Sequence, residues 1–249
     1  MSRPVVLITG ASRGIGAAIA IDAAREGYDV AFSYHSNKEA ADVVVSAVAD
    51  HGSRAIAVQA DNANEGDLLA LFEQVDQQFG RLDALVNNAG IVAPSRPFTT
   101  YSVQRMQQIF NTNILGAFIA AREAVLRLST RSGGQGGSII NISSIAARAG
   151  AANEYIDYAA SKAALDAMTT GLAKEVADQG IRVNSIRPGL IHTDIHASGG
   201  RPDRVNELSA GIPMQRGGQA SEVADTAIWL MSKRASYVTG ACIDVSGGR

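Results

Sequence analysis

An apolar run that leads into a glycine-rich turn, near the start of the chain, restricts the possible folds more than any other feature. Residues 4–8 (PVVLI) resemble a buried strand, and glycines follow at positions 10, 14 and 16. Glycine permits a tight turn and a close backbone approach, and the N-terminus of a following helix offers unpaired N–H groups to a phosphate. The spacing Gly-x-x-x-Gly-x-Gly differs from the common dinucleotide fingerprint. The order strand, glycine turn, helix still predicts a βαβ unit that holds a nucleotide.

The alternation of strand and helix continues along the chain. Strands are predicted at Val5–Thr9, Val30–Tyr34, Ala55–Gln59, Ala84–Asn87, Ser138–Ile142, Arg182–Ile186 and Cys242–Val245, and helices at Gly14–Glu26, Lys38–Asp50, Glu65–Phe79 and Asp157–Asp178. Unbroken Val, Ile and Leu runs are typical of parallel strands covered on both faces. The predicted fold class is α/β: a doubly wound, Rossmann-like parallel seven-stranded sheet with helices on both faces, in a single domain over residues 1–249. Segment 189–218 lacks a clear period and is expected to form a substrate lid.

Length, charge and cysteine content exclude several classes of partner. The 249 residues suit one large α/β domain, 46% of them are hydrophobic, and the net charge is −2. A charge so close to zero gives no reason to expect nucleic acid or an anionic membrane as a partner. The lone Cys242 cannot form an internal disulfide and is expected to be a small core residue. The first strand leaves no room for a signal peptide, and no apolar run approaches the roughly 18 residues that span a bilayer, so we expect a cytoplasmic protein.

A tyrosine and a lysine four residues apart suggest acid–base chemistry. Tyr158 and Lys162 lie on one face of a predicted helix. A phenol beside a fixed positive charge titrates below its reference pKa of about 10, because the cation favours phenolate. The pair therefore predicts a proton donor and acceptor at a carbonyl or an alcohol. A second pair of this kind, Tyr34 and Lys38, follows the second predicted strand and receives no catalytic role.

The end of the second strand bears on which nicotinamide cofactor is bound. NAD binders commonly place an acidic residue there on the ribose hydroxyl, whereas residues 32–38 contain none. Arg13 lies in the glycine turn, and His35, Ser36 and Lys38 offer hydrogen-bond donors. Arginine suits a 2′-phosphate through charge-assisted, bidentate contact. We predict a preference for NADP(H), with NAD(H) possible; in the alternative, Arg13 and Lys38 are solvated surface charges and specificity is mixed.

Further motifs in sequence order make the chain resemble a known family. Asn87-Asn88-Ala89-Gly90, Asn113, Ser144 and Tyr158-x-x-x-Lys162 together resemble the short-chain dehydrogenase/reductases, over essentially all 249 residues. The chain is most similar to the single-domain branch with 3-oxoacyl-carrier-protein reductases and glucose 1-dehydrogenases. The resemblance implies an NAD(P)-dependent oxidoreductase that interconverts a carbonyl and a secondary alcohol by hydride transfer. It also implies a small-molecule substrate and a homo-oligomer, either a tetramer or a dimer.

The resemblance assigns the catalytic roles. Tyr158 would be the general acid/base, Lys162 would lower the pKa of Tyr158 and hold the nicotinamide ribose, and Asn113 would support a water chain from the lysine to solvent. Asn113 is assigned rather than Asn111 because only Asn113 precedes a two-residue gap and a glycine.

The serine of the family has two candidates in this chain. Ser144 is assigned over Ser143 as the residue that hydrogen-bonds the substrate oxygen. Even from Ser144, the spacing to Tyr158 is one residue longer than is usual in the family. This difference indicates a one-residue insertion within 151–157.

The resemblance also implies a set of cofactor contacts. They are Thr9, Gly10, Ser12, Arg13, Gly14, Ile15, Gly16, His35, Ser36, Asp61, Asn62, Asn87, Ala89, Gly90, Tyr158, Lys162, Pro188, Gly189, Ile191 and Thr193. Among them, Asp61 and Asn62 are expected at the adenine, and Ile191 and Thr193 near the carboxamide and phosphates. Residues 237–248 are expected to support subunit packing.

Other residues allow more than one interpretation. His192 and His196 have a spacing that could bind metal on a helix, but there is no third ligand in view, so surface or substrate contacts are favoured and no metal is expected. Arg201 and Arg204 could attract an anionic substrate or a carrier protein, or form a solvated lid face. Tyr155 could line the substrate pocket or only pack the loop.

Two further functions stay open from the sequence. A sugar or polyol dehydrogenase using NAD(P)⁺ requires the same residues, since protonation and deprotonation are one step reversed. A non-catalytic NADP(H) sensor or scaffold on the same fold is the alternative from a different class, because a fold does not dictate a function. The presence of both Tyr158 and Lys162 favours an enzyme.

Overall fold

The computed structural model describes residues 3–249, which are built on a central parallel sheet. Its strands are β1 (Val5–Ile8), β2 (Asp29–Tyr34), β3 (Ala55–Gln59), β4 (Ala84–Asn87), β5 (Gly137–Ile142), β6 (Ile181–Pro188) and β7 (Cys242–Val245). Their hydrogen-bonded order is β3-β2-β1-β4-β5-β6-β7, and every pair is parallel. The strand order reverses between β1 and β4, where doubly wound sheets open a crevice for a ligand. The predicted fold class is confirmed.

Helices cover both faces of the sheet. They are α1 (Gly14–Arg25), α2 (Lys38–Ala49), α3 (Glu65–Phe79), α4 (Val103–Phe110), α5 (Gly116–Leu128), α6 (Ala146–Ala149), α7 (Ile156–Val176), α8 (Ile195–Ser198), α9 (Arg204–Leu208) and α10 (Ala220–Met231). Side chains alternate between the faces of a strand. Val6 and Ile8 therefore pack with α1, α2 and α10, whereas Val5 and Leu7 pack with α3, α5 and α7. Both layers are needed to bury the strands, as their apolar runs predict.

Every predicted boundary falls within two residues of the observed one, and the two-residue shifts are at the ends of β6 and α7. This strand continues to Pro188 because Arg187 and Pro188 pair with Asp244 and Val245 of β7. At β1 the predicted Thr9 falls outside the strand, where its side chain serves a turn described below. These differences matter for the site because both strands end at the crevice.

The segment after β6 is more ordered than the sequence predicted. Residues 189–218 contain α8, α9 and a 3₁₀ turn at Ser209–Gly211. A small apolar cluster of Leu190, Val205 and Ile212 anchors the segment. The expectation of a segment without regular structure is wrong because helices of four or five residues are too short to show a period.

A second correction concerns apolar length. One helical stretch of 26 residues, Val103–Leu128, could cross a membrane by length and composition alone. It consists of α4, a π-helical turn at Asn111–Leu115, and α5. The expectation that no run approaches this length is wrong. In this fold half of its apolar window is buried, with α5 packed against α3, β4 and α7.

Candidate active site

One cleft of about 820 Å³ opens at the carboxyl ends of the central strands. Its walls come from the turns after β1, β4, β5 and β6, from the start of α7, and from α8 and α9. Pockets for small molecules and cofactors commonly fall in the range of roughly 300–1,000 Å³. The cleft lies where the strand order reverses, which is the position expected for a nucleotide.

The cleft brings most of the predicted site residues together. Those that line it are Gly10, Ser12, Arg13, Gly14, Ile15, His35, Asp61, Asn62, Ala89, Gly90, Ser144, Tyr158, Lys162, Pro188, Gly189, Ile191 and Thr193. Five predicted residues are placed elsewhere: Thr9, Gly16, Asn87 and Asn113 lie behind the lining, and Ser36 lies exposed beside it. The first four act by supporting the wall, as their contacts show.

Thr9 and Asn88 join the first and fourth strand ends. The Thr9 Oγ1 atom accepts hydrogen bonds from the backbone N–H groups of Asn88 (3.1 Å) and Ala89 (3.0 Å). The Asn88 side chain donates to the carbonyl oxygens of Thr9 (2.9 Å) and Gly10 (2.8 Å). A Cβ on Gly16 would lie 2.5 Å from the Asn88 Nδ2 atom, so Gly16 is needed for packing. Sequence reasoning quoted Asn88 within a motif but gave it no role.

Asn87 supports the sheet from inside. Its Nδ2 atom donates to the carbonyl oxygen of Ala117 (3.1 Å) and to Oδ1 of Asn141 (3.0 Å) on β5. Asn141 in turn donates to the Thr169 hydroxyl on α7 at 2.8 Å. This buried chain ties β4 to the helix that carries Tyr158 and gives the Asn87 side chain a positioning role.

The glycine turn retains free backbone donors for an anion. Helix α1 begins after Arg13, and no side chain caps its first N–H groups, whereas Asn37 and Asn64 cap α2 and α3. Uncapped N–H groups and the helix dipole favour a phosphate. Gly10 has φ +66°, and a Cβ there would lie 3.0 Å from the Ala89 Cα atom. The turn therefore fits the pyrophosphate of a dinucleotide.

A second observation also fits a dinucleotide. Asn62 lines the cleft and donates from Nδ2 to the Thr112 carbonyl oxygen at 2.7 Å. Its Oδ1 atom is buried and has no hydrogen-bond partner in the described structure. A buried acceptor without a partner is costly, and an amino group of a bound base would satisfy it.

Tyr158 and Lys162 lie one turn apart on α7, as predicted. The Lys162 Nζ atom is 5.6 Å from the centre of the Tyr158 ring and donates to the Ile142 carbonyl oxygen at 2.8 Å. A Cβ on Gly90 would lie 3.2 Å from this Nζ atom, so the ammonium is held between the ends of β4 and β5. Asp157 accepts a hydrogen bond from the Tyr158 backbone N–H at 2.9 Å and fixes the start of the helix.

The electrostatics of this pair differ from the prediction. Burial raises the pKa of Tyr158 to about 12, and a hydrogen bond with the Ser144 side chain acts in the opposite direction. Burial also lowers the pKa of Lys162 to about 8. The prediction that Lys162 lowers the pKa of Tyr158 is not borne out, because desolvation dominates the shift and the ammonium is bonded to the Ile142 carbonyl oxygen.

The two candidate serines have different positions. Ser143 is buried, and its hydroxyl donates to the Lys162 carbonyl oxygen at 3.0 Å. Ser144 lines the cleft beside Tyr158, and its hydroxyl accepts from the Ala146 N–H at 3.1 Å. This arrangement favours Ser144 as the residue that meets substrate.

Asn113 lies in the π-helical turn between α4 and α5. Its Oδ1 atom accepts from the Ile91 N–H (2.8 Å), and its Nδ2 atom donates to the Ile91 carbonyl oxygen (2.9 Å) and the Ser161 hydroxyl (3.1 Å). π-Helical turns of this kind frequently mark functional sites. Asn113 thereby fixes the loop after β4 against α7, behind Lys162.

The remaining ambiguous residues now have defined positions. His196 lines the cleft, with Nε2 2.9 Å from the Ile191 carbonyl oxygen, and burial lowers its pKa. Within residues 3–249 no group of three or more His, Cys, Asp or Glu side chains could hold a metal ion. Lys38 forms an exposed ion pair with Asp42 at 2.7 Å and Tyr34 is buried in the core, so this second Tyr-x-x-x-Lys pair lies outside the cleft.

Comparison with known proteins identifies the family. Residues 10–249 match the family model described as enoyl-(acyl carrier protein) reductase. The uncharacterized oxidoreductase YgfF of Escherichia coli is 50% identical over 245 residues, 98% of this chain and 99% of that protein. The 3-oxoacyl-[acyl-carrier-protein] reductase FabG of Staphylococcus aureus is 37% identical over 97% of this chain and 96% of that protein. Glucose 1-dehydrogenase 2 of Bacillus subtilis is 35% identical over 97% of this chain and 93% of that protein. The chain is a short-chain dehydrogenase/reductase.

Solved structures of similar sequence agree with this assignment. The 3-ketoacyl-(acyl-carrier-protein) reductase of Brucella melitensis, complexed with NADH, aligns with a TM-score of 0.92 at 30% identity over 100% of this chain and 98% of that chain. A short chain dehydrogenase of Burkholderia cenocepacia in complex with NADP aligns with a TM-score of 0.90 at 33% identity. The alignment covers 99% of this chain and 97% of that chain. As a short-chain dehydrogenase/reductase, the chain is a nicotinamide-dependent enzyme, which removes the sensor or scaffold alternative.

Several cleft residues of this dehydrogenase/reductase were not predicted as site residues. Gln108 of α4, Glu154 before α7 and Arg249 at the C-terminus all line the cleft. Arg249 is distant in sequence from every motif, and no pattern in the sequence places it there. Arg204, considered as part of a solvated lid face, is buried and forms an ion pair with Glu154, so that interpretation is wrong for this residue.

Proposed function

We propose that this chain is an NADP(H)-preferring oxidoreductase that interconverts a ketone and a secondary alcohol, with Tyr158 as general acid/base. The observation that carries the proposal is the meeting of Ser144, Tyr158 and Lys162 in one cleft beside an uncapped glycine turn. When bound, the nicotinamide cofactor supplies or accepts the hydride. The protein must then hold the substrate oxygen and move one proton to or from it.

Tyr158 and Ser144 supply the hydrogen bonds at the reacting oxygen. Tyr158 is protonated at neutral pH, since burial raises its pKa to about 12, and it is therefore poised to donate a proton to a developing alkoxide. Ser144 hydrogen-bonds Tyr158 and lines the same cleft, so its hydroxyl can share the substrate oxygen. Oxidation of an alcohol uses the same groups in reverse.

Lys162 is proposed to supply charge when the cofactor binds. In the cofactor-free protein its Nζ atom is bonded to the Ile142 carbonyl oxygen and stands near Gly90 in the cleft wall. An ammonium has three donors, so the remaining N–H groups can reach ribose hydroxyls without loss of the bond to Ile142. Asn113, fixed behind it, is proposed to support proton exchange through a water chain.

Arg13 and His35 support the proposed preference for NADP(H). Both line the cleft, and Arg13 is exposed at the start of α1 where a 2′-phosphate would add negative charge. Solved relatives contain NADH in one case and NADP in another, so the family alone does not decide between the two.

A sugar or polyol dehydrogenase is the second candidate function. It is favoured by the 35% identity to glucose 1-dehydrogenase 2 of Bacillus subtilis, and the catalytic groups serve both directions.

Assembly is proposed to be a homo-oligomer, supported by exposed apolar side chains along α4 and α5, namely Val103, Phe118 and Leu126, with Leu115 between them. The proposed location is the cytoplasm, on the basis of the lone cysteine.

The test is a spectrophotometric panel. NADPH and NADH oxidation is followed with 3-oxoacyl thioesters, 3-oxo esters and simple ketones, and NADP⁺ and NAD⁺ reduction with glucose, polyols and secondary alcohols. Turnover of a ketone class with NADPH supports the proposal, and selective turnover of sugars with either cofactor supports the second candidate. Tight cofactor binding without turnover across the panel would contradict both substrate classes.

A further inference from the structure

Glu154 joins three segments at the substrate end of the cleft. Its carbonyl oxygen accepts hydrogen bonds from the Arg96 N–H (3.2 Å) and the Tyr101 hydroxyl (3.2 Å), both in the segment before α4. Its carboxylate binds Arg204 at the start of α9 and Arg201 just before it. One residue therefore ties the loop before the catalytic tyrosine to the segment after β4 and to the segment after β6.

The backbone of the loop is shaped to present this carboxylate. Gly150, Ala151 and Asn153 have φ values of +76°, +49° and +60°, so three of the four residues before Glu154 are left-handed. The conformation is unfavourable for alanine, and such residues persist where the surrounding contacts require them. Here the contacts that require it are those of Glu154. The sequence had indicated an insertion in this loop, and the loop turns towards α9.

Arg204 is held by a bidentate ion pair and by packing against an aromatic ring. Its Nη1 and Nη2 atoms donate to the two carboxylate oxygens of Glu154 at 2.6 and 2.7 Å, which is a bidentate pair. The guanidinium carbon lies 5.2 Å from the centre of the Tyr155 ring. The Nε atom is buried and has no hydrogen-bond partner in the described structure, so the side chain is packed and not solvated. Glu154 is partly exposed and also contacts Arg201 at 3.2 Å, so replacing Arg204 removes the bidentate contact but leaves the carboxylate with one cation.

Tyr155 carries this contact to the catalytic residue. The rings of Tyr155 and Tyr158 meet edge to face, with centroids 5.7 Å apart and an interplanar angle of 86°. Tyr155, Glu154 and Arg204 all line the cleft. The stack of Arg204, Tyr155 and Tyr158 therefore forms a continuous wall from α9 to the proposed proton donor.

We propose that the Glu154–Arg204 pair is a positioning pair that determines substrate size. By holding Arg204 over Tyr155, the pair fixes the wall beside Tyr158 and admits ketones whose substituent on that side is small. This inference rests on the proposed function, because it concerns the substrate of the same site. Loss of the pair frees α9 and Tyr155 and enlarges the pocket. The kcat/KM value for bulky ketones then rises relative to that for compact ketones.

The experiment compares a compact and a bulky neutral ketone, ethyl acetoacetate and ethyl benzoylacetate, with NADPH as reductant. Wild type is measured beside Arg204→Met, Arg204→Lys and Tyr155→Ala, and the ratio of kcat/KM values for the two esters is compared. Arg216→Met is the matched control, because Arg216 forms a bidentate ion pair with Glu222 in the same segment but outside this cleft. Tyr155→Ala removes the wall and leaves the ion pair, so it calibrates the effect of an enlarged pocket, and Arg204→Lys tests the pair if Arg204→Met folds poorly.

The expected result is a shift in the ratio towards the bulky ester by about tenfold in Arg204→Met and Tyr155→Ala, since pocket contacts of this size discriminate by roughly 10–200-fold. Arg204→Lys keeps the charge but loses the bidentate geometry and is expected to fall between Arg204→Met and wild type. A fall in activity on both esters with an unchanged ratio overturns the proposal, because a purely structural role has that effect.

Amide hydrogen exchange separates this inference from the proposed function. Failure of wild type to reduce either ester, despite NADPH binding, counts against the proposed function. The exchange rates of residues 195–208 and 150–157 in the NADPH-bound protein then test the pair alone. Faster exchange at both segments in Arg204→Met, with Arg216→Met like wild type, supports the positioning role, and identical exchange in all three proteins overturns it.

Discussion

The Lys162 ammonium approaches the Tyr158 ring to 5.6 Å from its centre, yet it donates its hydrogen bond to the Ile142 carbonyl oxygen. This hydrogen bond fixes the ammonium in the cleft wall, and the Tyr158 phenol stays protonated. Burial favours the neutral form of both groups, which raises the pKa of Tyr158 and lowers that of Lys162. The Tyr158 phenol is therefore protonated at neutral pH, which is the state that the proposed proton donation requires.

Replacing Tyr158 with Phe tests the proposed proton donor. Turnover of the best ketone from the panel is expected to fall by about 10²–10⁴-fold, because positioned acid–base groups contribute that much. Affinity for NADPH, measured by fluorescence titration, should change little, since the aromatic ring is retained. Tyr34→Phe is the control, because Tyr34 belongs to the second Tyr-x-x-x-Lys pair and is buried in the core, outside the cleft. Unchanged turnover in Tyr158→Phe would contradict the assignment.

Replacing Lys162 with Met tests the effect of burial on the ammonium. Burial lowers the pKa of Lys162 from its usual 10.5 to about 8. Between these values the unfolded chain binds a proton that the folded protein does not, so the free energy of unfolding rises with pH. From pH of about 8 to about 9.5, wild type should gain about 2 kcal/mol relative to Lys162→Met in urea unfolding, at 1.36 kcal/mol per pH unit.

The matched control for this measurement is Lys174→Met, which removes an exposed lysine from the same helix. A wild-type advantage over Lys162→Met that stays constant with pH would show that the ammonium is not desolvated in the cofactor-free protein.

Replacing Arg13 with Ala tests the cofactor preference. Loss of a charge-assisted bond to a 2′-phosphate should raise the KM for NADPH by about 10–100-fold, as expected from about 1.5–3 kcal/mol, and leave the KM for NADH nearly unchanged. Lys38→Met is the control, since Lys38 is paired with Asp42 and lies outside the cleft. Equal effects of Arg13→Ala on both cofactors would refute the proposed 2′-phosphate contact.

Replacing Arg105 with Met tests a buried ion pair beside the site. Arg105 donates to both carboxylate oxygens of Asp157, at 2.7 and 3.2 Å, and to the Pro94 carbonyl oxygen at 2.6 Å. The variant leaves the buried Asp157 carboxylate without its cation and should lose about 3–5 kcal/mol of unfolding free energy. Adding Asp157→Asn should recover part of that loss, because no buried charge remains.

The control for that pair is Arg131→Met, whose partner Asp178 is exposed and whose loss should cost at most about 1 kcal/mol. Equal losses of unfolding free energy in the two variants, measured by urea unfolding, would show that burial does not increase the contribution of the Arg105 ion pair to stability.

Local sequence patterns were sufficient for the fold, and the family resemblance supplied most of the cleft lining. Strand runs such as 5–8 and 84–86 are apolar throughout because both faces are covered, and the glycine turn marks where a nucleotide can approach. The predicted cofactor contacts that lie behind the lining share a different property. Thr9 and Asn87 face inward and bond to other turns, and the direction of a side chain at a strand end depends on neighbouring strands that the local pattern does not include.

The sequence by itself determined the doubly wound sheet, the nucleotide turn, and the Tyr158 and Lys162 pair, because these follow from strand periodicity, glycine spacing and the four-residue repeat of a helix. Only the tertiary structure decided how that pair is charged, since the pKa shifts come from burial by distant segments. It also decided that Arg204 of α9 reaches Glu154 across 50 residues of sequence. Contacts of that range depend on how the sheet places its connections, and no local pattern encodes them.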